Sequence, residues 1–213
     1  MTVKAFTFGP FQTNTYVVSV GEKTLLIDPA CSSEYERQVL QNYIESLAAP
    51  VTILATHGHL DHLWGAKWAT ERYHTPILMH EADIPMAQAM QQQYDMFGIP
   101  GKPEPFPINS LTAEGGLTAE RSYSIAVLQR SGLSVLPTPG HTPGSVCFYW
   151  PEEKVLLSGD TLFCMGFGRT DLPGGNYGQL MQSLNTLFAL PSDTLVYPGH
   201  GESTTIGAEN HRY

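Results

Sequence analysis

Residues 56–62 read THGHLDH and follow VTILA, a short apolar run. A run of that length before a polar break reads as a buried strand. In extended chain the side chains at i and i+2 point the same way, so His57 and His59 can reach one cation. Asp61 and His62 fall where the chain is expected to turn into a helix, and can point together at a neighbouring position. A lone histidine is usually a core or surface residue. This density, directly after a strand, is a metal-ligand arrangement and demands a fold that opens a strand end onto a site.

Three later segments are of the same kind. PGHTPGS carries His141, SGD carries Asp160 and PGHGE carries His200, each a ligand-type residue after a strand-like run and beside glycine. Glycine lets the backbone turn sharply there, and loops at strand ends are where folds place reactive groups. The sum is five imidazoles and two carboxylates. Divided between two divalent ions, His57, His59 and His141 form one group, and Asp61, His62 and His200 form the second. Asp160 can bridge, because a carboxylate has two oxygens. Two ions about 3.5–4 Å apart both activate a water and clamp an oxygen that gains charge, which is hydrolytic chemistry. Asp61, Asp160 and His200 are the residues expected to act in the reaction itself.

The rest of the chain supplies the scaffold. VKAFTF, TYVVSV and KTLLID alternate as strands of an antiparallel meander. Residues 33–48 have helical spacing, with Ser32 or Ser33 as cap. VTILA is followed by the motif, a helix from about His62 to Tyr73, a strand PILMH and a helix near 81–94. Residues 97–109 hold four of the 16 prolines, so they are expected to form an ordered loop over a cleft. YSIAVLQ, SVLPTP, SVCFYW and KVLLSGD are strand-like. A glycine-rich loop over 164–178, a helix QLMQSLNTLFAL and a final strand TLVYPGH complete the chain. Two strand groups interleaved with helices imply two sheets with helices outside, an α+β arrangement of layers in one domain spanning 1–213.

Composition excludes several classes. The 213 residues are 42% apolar and 15% charged, ordinary for a globular chain. The charge is −9 with no block of Lys or Arg, which argues against nucleic acid as partner. No run approaches the ~20 apolar residues of a membrane span, and the N-terminus lacks a secretory core; a cytoplasmic location is expected. Cys31, Cys147 and Cys164 are scattered, with no CxxC, as reduced thiols would be. Asp28 in LLIDPA is either a turn residue or a partner that fixes a histidine tautomer. His74, His80 and His211 are expected in ordinary surface or hydrogen-bonding roles.

The ordered set THGHLDH, PGHTPGS, SGD and PGHGE resembles the metallo-β-lactamase-fold superfamily. Within it, the chain is most similar to short single-domain glyoxalase II (hydroxyacylglutathione hydrolase) proteins, which carry segments like MFG at 96–98, GRTDLPGG at 168–175 and STTIGAEN at 203–210. The resemblance implies a four-layer αββα sandwich with the metal site at one edge between two sheets, and the ligand division given above. It also implies two divalent ions, zinc first with iron or manganese as alternatives, and a hydroxide between them attacking a small-molecule thioester.

A thiol leaves as thiolate without acid assistance, having a pKa of about 8.5, whereas an amide nitrogen must be protonated. The rival on the same fold is a persulfide dioxygenase with a single iron on His57, His141 and Asp160; PGHGE favours the hydrolase. Arg169, Tyr177 and Lys102 are candidates to meet an anionic substrate, and Phe97 and Phe106 to form an apolar wall. Metal identity, the two halves of the substrate and oligomeric state are not legible.

Overall fold

The structure, a computed structural model, describes residues 1–111 and 131–212. The expected strand YSIAVLQ lies outside the described residues. The chain forms two compact units, Met1–Ser110 and Leu111–Tyr213.

In the first unit, β1 (Thr2–Phe8), β2 (Thr13–Val20) and β3 (Lys23–Ile27) form the antiparallel meander that the alternation predicts. β4 (Val51–Leu54), β5 (Ile77–Met79) and β6 (Ile108–Ser110) then add in parallel, giving one six-stranded sheet in chain order. Parallel neighbours require crossovers, which helices usually supply. α1 (Glu34–Ser46) joins β3 to β4, and α2 (Ala66–Tyr73) joins β4 to β5. Ser33 and Glu36 close a capping box on α1, and Leu40 and Ile44 bury its inner face beside Leu26 and Ile53.

Between β5 and β6 the expected single helix is broken into a 3-10 turn (Glu81–Asp83), α3 (Ile84–Gln88) and α4 (Met90–Met96). The His80 side chain accepts from Ala82 N and starts the 3-10 turn, and Pro85 opens α3. Of the loop expected over 97–109, residues 97–107 are irregular as their prolines predict, while 108 and 109 already belong to β6. With α2 and α4 this loop walls a cavity of about 280 Å³ lined by Trp64, Trp68, Tyr94 and Phe106.

In the second unit, β7 (Ser134–Pro137), β8 (Val146–Trp150) and β9 (Val155–Gly159) are antiparallel neighbours. β10 (Leu162–Phe163) and β11 (Gly166–Phe167) form a hairpin with two residues per strand, its second strand inside the stretch 164–178 expected to be loop. α5 (Tyr177–Phe188), capped by Asn176, leads to β12 (Leu195–Pro198), which pairs in parallel with β9. The chain then adds β13 (Thr204–Thr205) and α6 (Ile206–Asn210), so TLVYPGH is not the last element. Leu180, Leu184 and Leu187 of α5 lie against Leu156 and Val196 in this unit's core.

The consequence for function is directional. β3, β4 and β5 run parallel, so the residues just beyond each strand emerge at one sheet edge: Asp28, then residues 56–62, then His80–Asp83. β9 and β12 are likewise parallel and release Asp160 and His200 at one edge of their sheet. Carboxyl ends of strands are where open α/β sheets place ligands. No helix among the described residues is long and apolar enough to cross a membrane.

Candidate metal centre

The first unit brings four of the expected ligands together. His57, His59 and His62 are at most 8% exposed. The His57 and His62 rings are 4.1 Å apart and the His57 and His59 rings 4.8 Å. The helix expected from His62 begins only at Ala66, because Leu60–Ala66 are consecutive turns: Leu63 N donates to Leu60 O, Ala66 N to Leu63 O and Gly65 N to Pro29 O. That turn sends the His62 ring to Asp28.

Asp28 governs two of these imidazoles. Its Oδ2 accepts from His62 Nδ1 at 2.9 Å and from the Thr56 hydroxyl at 2.7 Å, while its Oδ1 takes Thr56 N. With the Thr56 proton committed to Asp28, Thr56 Oγ1 is an acceptor for His57 Nδ1, 3.0 Å away. Both rings therefore carry their proton on Nδ1 and present a lone pair at Nε2, the form that binds a metal. Asp28 is thus the tautomer-fixing partner. It does so from a left-handed backbone (φ 52°), which Thr15 steadies by donating to Asp28 O and accepting from Ala30 N.

The second unit brings the other three together. His141 Nδ1 donates to the Arg169 carbonyl at 2.7 Å, leaving Nε2 as the lone-pair atom. Asp160 Oδ2 lies 3.5 Å from both His141 Nε2 and His200 Nε2. In the first unit, His62 Nε2 faces Asp61 Oδ2 at 3.4 Å, and Thr13 steadies Asp61 by donating to the same oxygen at 2.8 Å. For neutral rings, His62–Asp61 and His141–Asp160 are acceptors facing acceptors. Such pairs repel unless a cation lies between them. Two ligands of one tetrahedral ion with bonds of ~2.1 Å lie ~3.4 Å apart, so the spacing fits a metal. The side chains of Asp61, Asp160 and His200 are 17%, 11% and 29% exposed; the residues expected to act in the reaction are the ones that solvent reaches.

Residues that sequence reasoning missed hold the motif from behind. Gly58 N donates to Asp83 Oδ2, Leu60 N to Gln93 Oε1, and Gln93 Nε2 returns to Gly58 O. A Cβ on Gly58 would press on Asp83, so the loop approaches this support as only glycine can. Among the other candidates, Arg169 is bound twice by exposed Asp171 at 2.7 Å, an ion pair that holds the Asp171 carboxyl down at about 2. Lys102 lines the cavity beside Trp64, Tyr177 is exposed, and Phe106 is packed on the first unit's core. Phe97 is 40% exposed and meets Phe11, which meets Trp64, so the apolar wall is built with a partner from the β1–β2 turn. Cys147 is a buried strand residue as expected, and all three thiols are free.

Comparison with known proteins gives this geometry its family. The family model described as "Metallo-beta-lactamase superfamily" matches residues 8–200. The hydroxyacylglutathione hydrolase GloC of Haemophilus influenzae is 33% identical over 98% of this chain and 95% of its own length. The crystal structure of TTHA1623 in a di-iron-bound form superposes with a TM-score of 0.82 at 36% identity, covering 98% of this chain and 97% of that one. BLEG-1, a B3 metallo-beta-lactamase, gives 0.81 at 32% identity, covering 99% and 97%. The α+β architecture is the metallo-β-lactamase fold, its His/Asp donors are those of a metal-binding hydrolase family, and the chain belongs to the metallo-beta-lactamase superfamily.

Proposed function

We propose that this chain is a binuclear metal-dependent thioester hydrolase, acting on S-(2-hydroxyacyl)glutathione or a related small thioester. His57, His59 and His141 are the ligands of one divalent ion, Asp61, His62 and His200 those of the second, and Asp160 is shared. The observation that carries this reading is the pairing of lone-pair nitrogens with carboxylate oxygens, His62 with Asp61 and His141 with Asp160, at 3.4 and 3.5 Å.

Divalent ions bound there would lower the pKa of a water towards 7 and stabilise charge on the oxygen of an attacked carbonyl. The chain's own groups orient the donors and keep their tautomers. The Nδ1 protons of His57, His62 and His141 are committed to Thr56, Asp28 and the Arg169 carbonyl, so none of the three is left to protonate a departing amine. That favours a leaving group which departs as an anion, a thiolate above all. The likeness to GloC, a hydroxyacylglutathione hydrolase, supports the same substrate class.

The test is metal analysis of protein purified without chelator, with hydrolysis of S-lactoylglutathione and of nitrocefin measured side by side. Two ions per chain, thioester turnover that chelator abolishes and zinc or iron restores, and little nitrocefin turnover are expected. One iron per chain, with oxygen uptake on glutathione persulfide, would replace the hydrolase by the dioxygenase. Faster nitrocefin than thioester turnover would move the substrate class to amides, in line with the likeness to BLEG-1.

A further inference from the structure

The mechanism above makes no use of Glu209, a carboxylate on the short helix α6 that is only 1% exposed. Its Oε1 accepts from the Thr204 hydroxyl at 2.7 Å, and its Oε2 accepts from Met165 N at 3.1 Å, with Arg212 Nε at 3.4 Å. Burying a carboxylate is costly unless its oxygens are hydrogen-bonded, so this group holds something in place. Met165 is at the tip of the β10–β11 hairpin, in a left-handed conformation (φ 61°) that a residue with a side chain seldom adopts. Its side chain is 69% exposed, so side-chain burial does little to hold the tip. The bond from Glu209 does.

That hairpin touches every ligand of the second unit. It starts at Thr161, immediately after Asp160. Its first strand carries Phe163, whose ring meets His200 edge-on at 6.1 Å and 80°. It closes with Gly168 N donating to Thr161 O. Its exit delivers the Arg169 carbonyl that takes the His141 proton. A Cβ on Gly168 would meet both Asp160 O and His141 Nδ1, so the exit lies flush against two ligands.

We infer that Glu209 is a positioning residue for the metal site: by fixing the hairpin tip, it sets the orientations of His141, Asp160 and His200 together. The inference rests on reading those three as ligands. It assigns a role to the STTIGAEN segment, in which Thr204 and Glu209 act as one unit. Supports of this kind around metal ligands are typically worth 10–100-fold in metal affinity.

The test compares Glu209→Ala with Glu209→Gln in the full chain. A glutamine keeps one carbonyl oxygen for Met165 N and can donate its NH₂ to Thr204 Oγ1, so it should rescue; alanine removes both contacts. Ring ¹H–¹⁵N spectra of the metal-free protein are the first readout. In E209A the His141 and His200 signals should move while those of His74 and His80 stay, and E209Q should resemble the parent. Competition with a chromophoric chelator is the second, with affinity for zinc falling about tenfold in E209A and less than threefold in E209Q. Val155→Ala, a core truncation in the same unit at the opposite end of β9 from Asp160, controls for general destabilisation.

Unmoved His141 and His200 signals in E209A would overturn the inference. So would V155A moving them as far, or E209Q failing as badly as E209A. Should E209A not fold, Thr204→Val removes one of the two contacts and must produce the same pattern at smaller amplitude, or the inference falls. A parent protein that takes up no metal while its ring signals respond to E209A would instead refute the metal-site reading and leave the anchor standing.

Discussion

Asp28 Oδ2 sits 2.9 Å from His62 Nδ1 and 2.7 Å from the Thr56 hydroxyl, so one carboxylate oxygen sets the protonation pattern of two imidazoles, His62 directly and His57 through Thr56. Asp28→Asn replaces one acceptor oxygen by a donor. Whichever way the amide faces, either Thr56 N or the Thr56–His62 pair then meets an NH₂ group. Ring tautomers become mixed, and the lone pairs at Nε2 are no longer guaranteed. Affinity for zinc, measured by chelator competition, should fall about 10–100-fold, with turnover falling alongside and the far-UV spectrum unchanged. Parent-like metal affinity in D28N would show that the tautomers are set elsewhere.

Gly168 and Gly166 flank Phe167 in one hairpin but tolerate very different changes. A Cβ at Gly166 has nothing nearer than Phe163 Cδ2 at 4.0 Å, whereas at Gly168 it would overlap the Asp160 carbonyl and crowd His141 Nδ1 at 3.0 Å. Gly168→Ala should therefore displace both of these proposed ligands and lower turnover by more than tenfold, roughly the ~1.4 kcal/mol or more that a misaligned site costs. Gly166→Ala should leave turnover within about twofold. Steady-state kinetics on the two variants, with metal content measured on each, decide the point.

The proposed ligands are legible in the sequence because each carries a local mark. Four lie within HGHLDH, and His141, Asp160 and His200 each follow a strand-like run beside glycine. The meander, a cap at Ser32 or Ser33 and the irregular 97–107 loop are legible for the same reason, since alternation, caps and prolines act on near neighbours. What was not legible is remote in sequence. Nothing about Gln93 on α4 announces that it braces Leu60, 33 positions away, or that Asp83 takes Gly58 N. The sequence places the start of α2 about four residues early, at His62, because it does not show the Gly65 N bond to Pro29 O, another long-range contact, which holds residues 60–66 in turns. The β10–β11 hairpin has two residues per strand and α6 has five, too short for any periodicity to appear.

Gln93 gives a stability prediction that is separable from chemistry. Its amide satisfies Leu60 N and the Gly58 and Met86 carbonyls, with the side chain largely enclosed. Gln93→Leu keeps much of the volume but strands Leu60 N and Gly58 O in a buried setting. Each unsatisfied buried group costs about 1–3 kcal/mol, so denaturant unfolding should show a loss of roughly 2–5 kcal/mol. Because the loop loses its brace, metal affinity should fall too. A loss below 1 kcal/mol would mean that the loop re-forms these bonds with water.

Burial makes two cysteines reporters of alkaline unfolding. It pushes the Cys31 thiol up from 9.0 to about 12, against the opposing pull of Arg37, and the Cys147 thiol up to about 11. A thiol whose folded pKa is raised binds its proton more tightly in the native chain. Above pH 9 the unfolded chain has released protons that the native one retains, so stability is full below about pH 9 and falls as pH rises towards 11–12. Each such group contributes a slope approaching ~1.4 kcal/mol per pH unit inside its window. Urea unfolding of the parent at pH 8 and pH 10 should thus differ, with Cys31→Ala removing about 1 kcal/mol of that difference while lowering stability at both pH values for the lost packing. Tyr73, whose hydroxyl is likewise pushed up by burial to about 12, starts to contribute only near pH 10, which confines the useful comparison to the lower range. An equal pH difference in parent and C31A would show that the Cys31 thiol does not retain its proton in the native chain.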